Sequence, residues 1–220
     1  MALTGDIFHL IKKEITLEWR NRYAFNGIII YVIATVFICY LSFREIIDPA
    51  TWNALFWIIM LFASVNAVAK SFLQESRGRQ LYYYSVLDPR AVILSKIFYN
   101  VLLLVLLAFI NLLFYSLFIG NIVQNMALFS LALFLGSAGL AAVMTIVSAI
   151  ASKAADNAAL MAILAFPVIL PLLITIIKFS KNAIDGFDFE MNYKYAVILV
   201  SIDAMVVALG FLLFPYLWRD

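Results

Sequence analysis

The sequence predicts an all-α membrane protein, with six transmembrane helices preceded by an N-terminal amphipathic helix lying in the interface. Three observations predict it. Hydrophobic residues make up 66% of the 220 positions and charged residues only 13%, against roughly 45–50% and about 25% in soluble domains. Mean hydropathy is +1.03, which is more apolar surface than a core of this size can hide. The apolar residues fall in six stretches, each close to the roughly 20 residues that a bilayer core requires. No internal repeat, low-complexity tract or extramembrane segment able to build its own core interrupts them, so residues 1–220 read as one transmembrane domain.

Residues 1–24 come first. Phe8, Ile11, Ile15 and Trp19 recur at three- and four-residue steps and share one helical face. Lys12, Lys13, Thr16 and Arg20 lie largely off that stripe. A basic amphipathic helix of this kind lies in the plane of the interface. It serves either as a surface anchor or as a docking element for a cytoplasmic subunit, with Lys12 and Trp19 as candidate contacts. No small-residue cleavage site follows the first apolar run, which ends Cys39-Tyr40-Leu41-Ser42, so that run reads as a retained span.

The predicted spans are 25–42, 52–72, 91–118, 126–150, 158–177 and 195–217. Aromatic residues gather near several span ends, among them Trp52, Phe56, Trp57, Tyr193, Tyr195, Tyr216 and Trp218; such rings favour the headgroup level. Between the second and third spans, Gly78 breaks the helix and Pro89 suits the first turn of the next one. The intervening Arg77, Arg79, Leu81, Tyr82, Tyr83 and Tyr84 present arginines and rings, the residue types that dominate interfaces. They are candidates for docking a partner or, alternatively, for the headgroup belt. Eleven basic residues fall on the side of the N-terminus, this loop and the C-terminus, and four on the other. The positive-inside rule then places both termini in the cytoplasm.

Polar residues and helix breakers inside spans point to function, since lipid tolerates them poorly. Asp203 in the sixth span and Asn66 in the second are candidates. The fourth span carries Gly136-Ser137-Ala138-Gly139-Leu140-Ala141-Ala142, whose small side chains allow close helix contact. Pro167 and Pro171 kink the fifth span, and the carbonyls they free require cover by protein or a cavity.

No nucleotide-binding G-x-x-x-x-G-K-[ST], no G-x-S-x-G and no H-E-x-x-H occurs. The one cysteine, Cys39, and the one histidine, His9, form no metal cluster, so neither catalytic nor metal residues are expected. The chain is therefore read as a non-enzymatic membrane subunit. Any use of ATP falls to a partner, and no nucleic acid partner is expected.

A family resemblance rests on particular residues. Leu133-Phe134-Leu135-Gly136, the small-residue stretch after it, and Leu160 to Ile174 with its Pro167-x-x-x-Pro171-Leu172-Leu173-Ile174 core resemble the signature region of the CcmB family, the haem exporter proteins B of cytochrome c maturation. Phe72, Glu75, Gly78, Leu81, Pro89 and Lys96 also resemble the family pattern. The loop departs from that pattern in carrying Arg77 and Arg79, and in its run of tyrosines. The resemblance implies an ABC-exporter-type permease in the bacterial inner membrane, working as a homodimer with a CcmA-type ATPase, a CcmC-type haem-handling protein and a small CcmD-type subunit. Haem is the implied cargo, delivered to a periplasmic chaperone, and no cofactor is held by this chain. Two further readings stay open: an assembly or release factor that moves nothing itself, and a permease for another hydrophobic cargo.

Overall fold

A computed structural model describes residues 3–20, 22–43, 48–68, 87–152 and 157–219. These form seven helices: α1 (Leu3–Arg20), α2 (Arg22–Ser42), α3 (Pro49–Val68), α4 (Pro89–Phe118), α5 (Met126–Ala151), α6 (Asn157–Ile184) and α7 (Phe189–Arg219). Helices α3 to α7 are long and apolar enough to cross a membrane, as a multi-pass membrane protein requires. The apolar part of α2, Asn26–Ser42, is at the short end of the range at 17 residues.

The helix starts follow from local chemistry. Asp48 and Asp88 each precede a proline, whose fixed φ and missing N–H suit a first helical turn. Asp48 Oδ2 accepts from the Ala50 and Thr51 N–H groups, both at 3.1 Å. Asp88 Oδ1 accepts from the Arg90 N–H at 2.8 Å. Asn125 caps α5 by accepting from the Leu128 N–H at 3.1 Å. The turn after α6 needs Gly186, whose φ of +80° is a left-handed conformation. Helices α4 and α7 run to 30 and 31 residues, about 45 Å at 1.5 Å per residue. They exceed a hydrocarbon core of about 30 Å, so they tilt or reach into the headgroups.

Helix α5 is the hub and packs against α3, α4, α6 and α7. Its most apolar stretch is 72% buried, against 22% for α7. Small residues make this possible. Gly136 lies beneath the Trp57 ring and Ile176, while Gly139 lies beneath Asp203 and Leu172. A side chain at either site would hold the neighbouring helix off.

One end of the bundle is locked by aromatic rings and hydrogen bonds. Trp52 meets Tyr115 edge-on with centroids 4.8 Å apart and stacks on Phe56. The Tyr115 hydroxyl donates to the Trp52 carbonyl, and the Trp52 indole N–H donates to the Gly120 carbonyl. The Trp57 indole N–H donates to Ser180 Oγ at 2.8 Å, Ser180 Oγ lies 2.8 Å from Asn53 Oδ1, and Asn53 Nδ2 donates to the Ile177 carbonyl. The loop after α4 is pinned to the end of α6 by Asn125 N–H donating to the Ala183 carbonyl at 3.0 Å.

Two expected boundaries move. The fifth span was expected to stop at Ile177 and the sixth to begin at Tyr195. Instead α6 continues to Ile184 and α7 begins at Phe189. The charges at Lys178, Lys181, Asp185, Asp188, Glu190 and Lys194 read as a loop. Yet Asn53 and Trp57 tie the last turns of α6 into the core, and Asn182 Nδ2 donates to Asn192 Oδ1 across the short connection.

Candidate functional site

Two places gather unusual chemistry: the seat of α1 on the bundle, at the end away from Trp52, and the middle of α7.

Helix α1 packs mainly on α4 and touches α2 far less, although α2 is its neighbour in sequence. Two residues of the predicted apolar stripe, Phe8 and Ile15, do not face the bundle. Phe8 is 67% and Ile15 43% exposed, and Lys12 and His9 are exposed beside them. Leu10 is buried instead, with Ile7 packed against the core. The charged side of α1 reaches the bundle too. Glu14 Oε1 lies 2.9 Å from Lys13 Nζ and 3.5 Å from Lys96 Nζ.

Lys96 lies two turns into α4 with only 3% of its side chain exposed. A buried ammonium demands an anion, and Glu14 supplies one. Burial pushes the Glu14 carboxyl upward. The ammonium groups of Lys96 and then Lys13 more than reverse this, leaving it below the ordinary glutamate value of 4.5. The sequence shows these charges but not their pairing. The available signal was a lysine inside an otherwise apolar span. The α4 start is also tied to α7, because the Arg90 guanidinium sits 5.0 Å from the centroid of the Phe211 ring.

Asp203 lies near the middle of α7, on the stripe of Asn192, Leu199, Val206, Gly210 and Phe214. Those five are buried, whereas Asp203 is partly exposed. Its Oδ1 is buried and accepts no hydrogen bond. It rests directly over Gly139 of α5. A carboxyl group placed this way can accept a hydrogen-bond donor or a cation. Between α4 and α5, Asn100 Nδ2 donates to Thr145 Oγ1 at 2.8 Å. Asn111 and Ser137 are fully buried, and neither the Asn111 amide atoms nor Ser137 Oγ has a partner. These two were not singled out as unsatisfied polar groups in the sequence, because spacing does not show what a span residue faces.

Other predicted site residues fall elsewhere. Pro167 and Pro171 lie on an exposed face of α6, where the cover expected of protein, within the bundle or across a dimer, does not come from the described residues of this chain. The proline stripe and the buried stripe of Ala165, Ile169, Leu172 and Ile176 occupy different sides of one helix. Asn66 is exposed, and its Nδ2 donates to the Phe62 carbonyl of its own helix. Trp19 belongs to α1, but its side chain is outside the described residues. Arg77, Arg79, Leu81, Tyr82, Tyr83 and Tyr84 also lie outside them. Among the described residues no group of three His, Cys, Asp or Glu side chains could hold a metal ion.

The family model for CcmB protein matches residues 6–216, from the first turns of α1 almost to the end of α7. The chain belongs to the CcmB family. Among curated proteins, none matches it. Membership makes this CcmB chain a component of the cytochrome c maturation system, a haem-exporting ABC system. The match takes in both the α1 seat and Asp203.

Proposed function

We propose that this CcmB chain is the permease subunit of an ATP-driven complex in the bacterial inner membrane. It converts ATP hydrolysis by a CcmA-type partner into haem export or haem delivery to a periplasmic chaperone. It crosses the membrane six times with both termini in the cytoplasm, and it works as a homodimer beside CcmC- and CcmD-type subunits.

Parity supports six crossings. Helix α1 sits at the Lys96 end of α4, and Phe211 near the end of α7 sits over Arg90 at that same end. Helix α3 begins at the opposite end, where Trp52 meets Gly120. The chain must therefore change ends through α2, whose 21 residues span about 31 Å.

The observation that carries the docking assignment is the outward face of α1. A helix held on one side by an ion pair to a buried lysine offers Phe8, Lys12 and Ile15 on the other. Apolar residues flanking a cation make an interface core with a charged edge. The test is co-purification of the ATPase with Phe8→Asp and Lys12→Glu variants, read together with ATP turnover. Loss of the partner is expected. Unchanged assembly and unchanged turnover in both variants would show that α1 is a membrane anchor alone.

A further inference from the structure

We infer that Glu14 and Lys96 form the joint through which α1 moves α4, so that a push on α1 passes to α4 and α5 instead of to α2. This rests on the proposed docking of an ATPase on α1. Glu14 and Lys96 are positioning residues here, since neither is placed against cargo.

Chain order favours the opposite route. Helix α2 begins two residues after α1 ends, so a displaced α1 would be expected to drag α2 first. The packing contradicts that order. Helix α1 lies along α4 and has little contact with α2. Leu10 is buried in the common core, while the outward stripe of α1 is not.

Apolar contact alone permits sliding and rolling, because it is non-directional. An ion pair to a buried lysine resists both, because moving the carboxylate away weakens the charge pairing of an ammonium that water scarcely reaches. Lys96 is that buried charge, and Glu14 Oε1 is 3.5 Å away. Lys13 on α1 holds the same Oε1 at 2.9 Å, which restrains the carboxylate from its own helix. The pair therefore fixes both the position of α1 along α4 and its roll, and the roll is what turns Phe8 and Ile15 outward.

The route continues on the same strip of α4. Asn100 follows Lys96 by one helical turn and so shares its face. Its Nδ2 donates to Thr145 Oγ1 on α5 at 2.8 Å, with both groups buried. Displacement thus enters α4 at Lys96 and leaves one turn deeper into α5, the helix that touches α3, α6 and α7.

The test uses the whole complex in membranes of cells lacking their own copy of this chain. It reads three things: ATPase co-purification, ATP turnover, and the yield of haem-stained c-type cytochrome. Glu14→Gln is expected to keep co-purification and to hold turnover within about twofold, while cytochrome yield falls at least tenfold. Lys96→Arg keeps the charge and is expected to keep most of the yield.

In a Cys39→Ser background, Glu14→Cys with Lys96→Cys removes the pair and allows a flexible bismaleimide to replace it covalently. Yield should be low before linking and recover at least fivefold after it. This pair also decides the matter if Glu14→Gln fails to accumulate, since a purely structural loss would not be reversed by linking an assembled protein. Wild-type yield from Glu14→Gln, or no recovery on linking, would overturn the joint. An ATPase that fails to co-purify with the unsubstituted chain would instead overturn the docking reading beneath it.

Discussion

Replacing Gly139 by alanine tests how tightly the centre of the bundle is built. A Cβ at Gly139 would meet Asp203 Oδ1, and it would come within 2.6 Å of Leu172 Cδ1 and 3.1 Å of Leu172 Cδ2. Carbon–carbon contacts prefer about 3.5–4.0 Å, so Leu172 must retreat by roughly 1 Å. Leu172 is fully buried on α6 and Asp203 is on α7. One methyl group therefore presses two helices away from α5. Overpacking of this kind costs about 1–3 kcal/mol. Alanine's better helix propensity returns up to about 1 kcal/mol. The expected net loss is about 1–2 kcal/mol.

Gly210→Ala is the control. Its Cβ would meet Ile146 Cδ1 at 2.8 Å, the far end of a flexible and partly exposed side chain, so clash and propensity nearly cancel. Thermal unfolding in detergent should place Gly139→Ala a few degrees below wild type, at about 2–4 °C per kcal/mol for a chain of this length, and Gly210→Ala near wild type. Asp203→Ala should recover part of the loss in the double variant, with a coupling of at least about 0.5 kcal/mol. If the two substitutions add without coupling, the carboxylate is not seated over Gly139 and the geometry of this site is wrong.

Two further outcomes follow from the hydrogen bonds and the ion pair. Ser180→Ala leaves the Trp57 indole N–H and Asn53 Oδ1 without their shared partner; at about 1–3 kcal/mol for each orphaned group, unfolding followed by tryptophan fluorescence should show a loss of about 2–4 kcal/mol, and a change below about 0.5 kcal/mol would contradict the network. The seat of α1 should be insensitive to pH across the neutral range. The folded Glu14 carboxyl lies below its ordinary value of 4.5, so its stabilising contribution is complete above that value and is lost as pH falls through the depressed one. An environment-sensitive dye on Lys12→Cys in the Cys39→Ser background should report release only in acid, and release between pH 6 and 8 would refute the pairing.

Much of the fold was legible from the sequence because lipid imposes a simple length rule. Spans need about 20 apolar residues, and the starts of α4 and α5 fall within two residues of where hydropathy places them. The misplaced boundaries lie where charged residues belong to helices. Lys178, Lys181, Glu190 and Lys194 read as loop, yet hydrogen bonds from α3 hold the end of α6 in the bundle. For α1, periodicity identified a stripe but could not say which side meets protein. The helix turns Phe8 and Ile15 away and Glu14 toward Lys96, more than 80 residues further along the chain. The Asp203–Gly139 contact was half legible. Both residues were noted, one as a polar outlier and one within a run of small residues, but one-dimensional spacing does not join α5 to α7.

The ion pair between α1 and α4 also sets an order of events during synthesis. Glu14 leaves the ribosome long before Lys96 exists. At about 5–20 residues per second, the intervening stretch of roughly 80 residues takes on the order of 4–16 s to make. Throughout that interval α1 has no seat. It must wait without the Lys96 ammonium until α4 enters the membrane, so the first helix made is among the last to find its place.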